Sequence, residues 1–69
     1  MELAYYVSKI PQHNGDHEVH NGTCRVLPKI ENRLLLGEFS NCRDAVNIAR
    51  NIYSTADGCK ICSPECNTR

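Results

Sequence analysis

The sequence predicts an α+β fold, in which three or four short antiparallel strands pack against one amphipathic helix. Two observations lead to this prediction. Segments rich in aromatic and β-branched residues alternate with turn-forming Asn-Gly pairs in the first half of the chain. A later segment has apolar residues at steps of three and four, which is the spacing of one helix face.

The strands are predicted from local residue preferences and from the turns between them. Gly37 is expected at a β-bulge in the last strand, and Lys29 to Arg33 is expected to be a loop because it is mostly polar. The strand candidates are Leu3 to Ile10, Asp16 to His20, Cys24 to Leu27 and Leu34 to Phe39.

One helix is predicted after the last of these strands. Ser40 or Asn41 can cap its first turn, where the negative charge of Asp44 is also favourable. The helix is expected to stop near Ser54, because Asp57-Gly58 favours a turn. The predicted apolar stripe consists of Cys42, Ala45, Val46, Ala49, Ile52 and Tyr53.

The length of 69 residues leaves room for one domain, residues 1–69, whose polar end at 67–69 is expected to be frayed. A chain this short buries a small share of its surface, and it has only one Phe and three Tyr for a core. Folds of this size usually need disulfide bonds, a metal ion or a partner. The sequence therefore predicts additional stabilisation.

Cysteine usage favours a metal over disulfide bonds. The cysteine count of five is odd, and Met1 to Tyr6 lacks the basic and apolar pattern of a signal peptide. We therefore expect a cytoplasmic protein with reduced thiols. No apolar run approaches the ~20 residues of a membrane span, so no membrane association is expected.

The charge balance bears on the kind of partner. Eight basic and eight acidic residues are interspersed along the chain, so the basic surface of a nucleic-acid-binding protein is missing. Binding of nucleic acid by this chain is not expected. We expect the protein to be a monomer and its partner to be another protein, whose identity the sequence does not give.

Two residue pairs have the spacing of zinc ligands. Cys59-x2-Cys62 can wrap a tight turn around a metal ion, and Gly58 before it permits such a backbone. A three-residue hairpin loop between His20 and Cys24 would place both side chains on one side. Together they predict a tetrahedral Cys3His zinc site that holds the fold together.

Some alternative ligand assignments stay open from the sequence. His17 or Cys66 could replace His20 as the fourth ligand, because both lie close to a predicted ligand in the chain. Cys42 lies on the apolar stripe of the helix and is expected in the core. His13 lies in a loop after Pro11 and is expected to be exposed to solvent.

The order of features resembles the Ada-type metal-binding module. That module occurs at the N-terminus of a DNA-methylphosphotriester repair protein and in some nucleases, and it holds a metal with a Cys-x3-Cys pair and a downstream Cys-x2-Cys pair. The matching features are the strand Tyr5 to Ile10, His20-x3-Cys24, the loop Glu31-Asn32-Arg33, a strand ending in Phe39, a helix with Ala45, and Gly58-Cys59-x2-Cys62-Ser63-Pro64.

The resemblance implies that His20, Cys24, Cys59 and Cys62 are the zinc ligands. It also implies that Cys24 is the one sulfur to which a methyl-accepting role could fall. His20 replaces the first cysteine of the family pattern, which makes the site less negative and its sulfurs poorer nucleophiles. The repair activity is therefore not expected here. The arrangement is also similar to small bacterial proteins that consist of this module alone.

These observations predict a small zinc module that is not an enzyme and acts by binding a partner. One alternative is thiol chemistry, either as an alkyl acceptor or as a redox sensor that uses Cys59 and Cys62. A second alternative is a domain without metal that is held by a disulfide, for example between Cys24 and a C-terminal cysteine.

Overall fold

The computed structural model describes residues 1–68 and has one helix and four strands, which confirms the α+β class. Two short 3-10 turns complete the regular structure, at Ile30–Asn32 and Pro64–Cys66. The strands are β1 (Leu3–Ser8), β2 (His17–Asn21), β3 (Arg33–Phe39) and β4 (Ala56–Gly58), and the helix is α1 (Cys42–Ala49).

The four strands form one sheet in the order β3-β1-β2-β4. β1 is antiparallel to both β2 and β3, as predicted, but β4 lies parallel to β2, with Val19 opposite Gly58. The predicted antiparallel pairing holds for β1, β2 and β3, whereas β4, which was not among the predicted strands, makes the sheet mixed. The physical reason is the connection: α1 carries the chain back across the sheet after β3, and a strand that follows such a crossover runs in the same direction as β3.

Two local predictions were wrong at the ends of the sheet. Asp57-Gly58 was expected to be a turn but lies in β4, where the N–H of Cys59 donates to the carbonyl of Val19 at 3.0 Å. Cys24 to Leu27 was expected to be a strand but forms a turn, closed by a bond from Leu27 N–H to the Cys24 carbonyl. β4 depends on its long-range pairing with β2, which overrides short-range propensity, whereas the Cys24 turn is closed by a local hydrogen bond.

The core lies between α1 and one face of the sheet. Cys42, Ala45, Val46 and Ala49 are the buried residues of the helix, and they form a cluster with Tyr5, Val7 and Val19 of the strands. Of the two predicted caps, Asn41 is the one used, since its side chain accepts a hydrogen bond from Asp44 N–H at 2.9 Å.

The helix ends earlier than predicted. It stops at Ala49 instead of near Ser54, and Ile52 of the predicted stripe is about half exposed. The chain turns at once, because Tyr53 N–H donates to the Ala49 carbonyl and Ala56 N–H donates to the Tyr53 carbonyl. This tight turn delivers the chain to β4.

A bulge bends β3, close to where it was predicted. Tyr5 pairs with Gly37 and Tyr6 pairs with Leu35, so Leu36 is the extra residue. Gly37 beside it has a φ of 134°, a conformation that favours glycine.

A disulfide bond joins Cys42 to Cys66. Cys42 lies in the core, as predicted, with 2% of its surface exposed, but its thiol is not free. The expectation that all five thiols are reduced was therefore wrong. The bond attaches the Pro64–Cys66 turn to the start of α1, and it removes Cys66 from the candidate metal ligands.

The polar end of the chain is hydrogen-bonded to β4. The side-chain amide of Asn67 donates to the Gly58 carbonyl, and both the N–H and the hydroxyl of Thr68 donate to the Asp57 carboxylate. Arg69, the last residue of the predicted tail, lies outside the described residues.

Within residues 1–68, no helix has the length and apolar character needed to cross a membrane.

Candidate metal centre

His20 comes from the end of β2 and is almost completely buried. Successive residues of a strand point to opposite faces of the sheet. Val19 belongs to the core cluster beneath α1, so His20 lies on the other face, where it is paired with Tyr6 of β1. The strand therefore places the imidazole away from the helix.

A side-chain-stabilised turn after β2 positions Cys24. The Asn21 side-chain oxygen accepts hydrogen bonds from the N–H and the hydroxyl of Thr23 at 2.9 and 2.7 Å. Cys24 N–H donates to the Asn21 carbonyl at 3.1 Å. The predicted hairpin between His20 and Cys24 does not form. An Asn-centred turn brings the cysteine back toward β2 instead.

The Cys59-x2-Cys62 segment forms a tight turn directly after β4. Ser63 N–H donates to the Cys59 carbonyl at 2.8 Å, which closes the turn. The sulfurs also receive backbone N–H groups at 3.4 Å, Cys59 Sγ from Ile61 and Cys62 Sγ from Asn21. Such contacts stabilise thiolates and are typical of cysteines that bind metal through a turn of this kind.

The four predicted ligands form one cluster. One potential ligand atom from each of His20, Cys24, Cys59 and Cys62 lies within 4.8 Å of all the others. Cys24 Sγ and Cys59 Sγ are 4.0 Å apart. Two sulfurs bound to one tetrahedral zinc are about 3.8 Å apart, as follows from a Zn–S bond of about 2.3 Å. The cluster can therefore close on a zinc ion with small movements.

Two properties of His20 suit a metal. Its Nδ1 is buried and has no hydrogen-bond partner among the described residues, and such atoms are rare in folded proteins. Burial also lowers the pKa of His20 below its usual value of 6.5, which favours the neutral imidazole that binds metals.

The cysteines of the turn are held as thiols when no metal is bound. Burial raises the pKa of Cys59 and of Cys62 above the usual value of 9.0, although the backbone N–H groups at their sulfurs partly offset this effect. A bound cation would reverse the balance and deprotonate both sulfurs. The cluster can thus hold a metal ion.

The other two histidines are not part of the cluster. His17 stacks on Tyr53 with ring centroids 3.8 Å apart, and its Nδ1 lies 2.9 Å from the Ser8 carbonyl. His13 is exposed, as predicted, and lines an open polar cavity of about 290 Å³. Both residues therefore have positions in the fold that do not bring them to the cluster.

Glu18 is a residue of the site that sequence reasoning missed. Its Oε1 lies 3.6 Å from His20 Nε2. Burial raises the pKa of this carboxyl, as do the nearby Asp16 and Asp57 carboxylates. The sequence contains one signal for this contact. Glu18 and His20 are two residues apart in a predicted strand, and residues i and i+2 of a strand lie on one face.

Gly58 is needed for space rather than for an unusual backbone angle. A Cβ at this position would lie 2.6 Å from Cys66 Cβ and 2.8 Å from the Ser63 carbonyl oxygen. We expect Gly58→Ala to shift the turn that carries Cys59 and to lower the free energy of unfolding by about 1–3 kcal/mol. Urea denaturation of both proteins, wild type and variant, measures this.

Gly22→Ala is the matched control, because a Cβ there meets its nearest neighbour, Tyr6 Cε1, at an ordinary 3.5 Å. The two variants should differ clearly in their denaturation midpoints. Equal midpoints would show that the close packing of Cys66 on Gly58 is not required.

Comparison of the chain with protein-family models, with curated proteins and with solved structures finds no match in any of the three. The resemblance to the Ada-type module therefore stays a prediction.

Proposed function

We propose that this chain is a small structural zinc module, not an enzyme, that acts by binding another protein. The observation that carries the proposal is the convergence of one histidine and three cysteines on one point from two distant parts of the chain. Structural zinc sites have four protein ligands, whereas catalytic sites have three and leave one position for water or substrate. A Cys3His set leaves no such position.

The location of the cluster supports a structural role. His20 and Cys24 belong to the β2 region, and Cys59 and Cys62 follow β4, the shortest strand of the sheet. A metal ion held by all four would tie this short edge strand and the turn after it to β2. The charge balance and the lack of a basic run favour a protein partner over nucleic acid.

Replacement of zinc by Co²⁺ tests the proposal, because cobalt absorption reports coordination. We expect one metal ion per chain by native mass spectrometry and a tetrahedral cobalt spectrum with sulfur-to-metal charge transfer. Added azide or imidazole should leave this spectrum unchanged. A spectrum that shifts with either ligand would indicate an open coordination position and would contradict a purely structural site.

The second candidate function, zinc-thiolate chemistry, depends on Cys62. It is the only member of the cluster that is not buried, so it would be the reacting sulfur. However, Asn21 N–H lies 3.4 Å from this sulfur and the Ser63 hydroxyl lies 3.6 Å from it, and such donors lower the nucleophilicity of a thiolate. Rapid alkylation of Cys62 in the zinc-loaded protein would favour the reactive site over the structural one.

The disulfide alternative requires a different pairing from the one present. The bond joins Cys42 to Cys66, and Cys24, Cys59 and Cys62 are free. The disulfide and a metal site therefore use separate cysteines and are compatible with each other.

A further inference from the structure

The two nitrogens of the His20 imidazole have different surroundings. Nε2 faces a carboxylate, since Glu18 Oε1 lies 3.6 Å away. Nδ1 is fully buried and has no partner among the described residues. One of the two must be the nitrogen that belongs to the cluster with the cysteine sulfurs. Because Nε2 is beside an acceptor, Nδ1 is the nitrogen left for a cation.

The Glu18 carboxylate is itself held in place. Glu18 and His20 are two residues apart in β2 and so lie on the same face of the sheet. The side-chain amide of Gln12 donates to Glu18 Oε1 at 3.2 Å, from the loop between β1 and β2. About three quarters of the Glu18 side chain is buried, its exposed share being 24%. The Gln12 contact and this partial burial restrict the movement of the carboxylate beside the imidazole.

From this geometry we propose that Glu18 is a positioning residue that selects Nδ1 of His20 as the zinc-binding nitrogen. The inference rests on the proposed zinc site. A carboxylate that accepts the Nε2–H fixes the imidazole tautomer, so that Nδ1 carries the lone pair. The present 3.6 Å exceeds hydrogen-bond length, so the contact must shorten to about 3 Å in the loaded protein.

The tautomer is tested directly on the wild-type protein. A long-range ¹H–¹⁵N correlation spectrum of the zinc-loaded protein assigns the state of each ring nitrogen. We expect a protonated Nε2 and a metal-bound Nδ1 for His20, and replacement of zinc by ¹¹³Cd should show coupling to Nδ1. A metal-bound Nε2 would overturn the inference, regardless of the zinc affinities of the Glu18 variants.

The role of Glu18 is tested by zinc affinity, measured by competition with a chromophoric chelator. Loss of a carboxylate that orients a metal-binding histidine costs about 10–100-fold in metal affinity. We expect a loss in this range for Glu18→Ala. Glu18→Gln should recover most of it, because the amide oxygen can still accept the Nε2–H.

Glu31→Ala is the matched control, because it removes the same charge from an exposed position in the Ile30–Asn32 turn. Equal affinities for Glu18→Ala and Glu31→Ala would overturn the positioning role. The outcomes separate the two proposals: if the wild-type protein binds no zinc, the proposed function fails. If it binds one zinc ion through Nδ1 with no effect of Glu18, only the positioning role fails.

Discussion

Removal of zinc from the reduced protein is expected to unfold it. The binding free energy of a structural zinc ion is about 10 kcal/mol or more in small domains, and most of it becomes stability of the fold because no site exists in the unfolded chain. A domain of this size rarely gains more than about 3–5 kcal/mol from its core alone. The loss of dispersed amide signals in an NMR spectrum, after addition of a strong chelator and a reductant, measures this outcome.

The disulfide gives this experiment its control. The Cys42–Cys66 bond closes a loop with a sequence separation of 24 residues, which corresponds to about 3.5 kcal/mol of stabilisation in the chain-entropy model. Chelator without reductant should therefore have a smaller effect than chelator with reductant, and reductant alone should have the smallest. A reduced, metal-free protein with a fully dispersed spectrum would contradict the role of zinc in folding.

Substitution of the cluster cysteines is expected to abolish tight zinc binding. Cys24→Ser, Cys59→Ser and Cys62→Ser each remove one of four converging ligands. A serine hydroxyl is a poor replacement, because zinc in such sites is bound by the deprotonated sulfur. We expect the affinity to fall by several orders of magnitude in each variant, as measured by chelator competition.

The double variant Cys42→Ala/Cys66→Ala is the matched control, since it changes two cysteines that are bonded to each other and lie outside the cluster. It should retain one zinc ion per chain while losing the stability that the disulfide contributes, about 3.5 kcal/mol. A double variant that releases the metal, together with a Cys24→Ser variant that keeps it, would show that the ligand assignment is wrong.

Three parts of the fold could be predicted because their signals are local. Leu3–Ser8 contains consecutive aromatic and β-branched residues, and Cys42–Ala49 has the helical apolar stripe with Asn41 as its cap. The Cys-x2-Cys spacing marks a metal-binding turn in the same way, since all of its geometry is contained in a few residues. Patterns of this kind require no knowledge of the rest of the chain.

β4 and the turn that carries Cys24 could not be predicted, for the opposite reason. Ala56–Gly58 is three residues long and is a strand only because Val19 and its neighbours offer backbone groups to it. Cys24 reaches the cluster through a turn that depends on the Asn21 side chain. The residues between His20 and Cys24 are equally compatible with a hairpin loop, which was the predicted structure.

By itself, the sequence determined the α+β class, the helix and its core face, and three of the clustered residues, Cys24, Cys59 and Cys62, while it left His17 and Cys66 open as alternatives to His20. Only the tertiary structure decided the parallel pairing of β4, the Cys42–Cys66 bond and the contact of Glu18 with His20 Nε2. Residue types and short spacings can be taken directly from neighbouring positions in the sequence. The partner of a sulfur, and the imidazole nitrogen that stays free, depend on groups that meet only after the chain has folded.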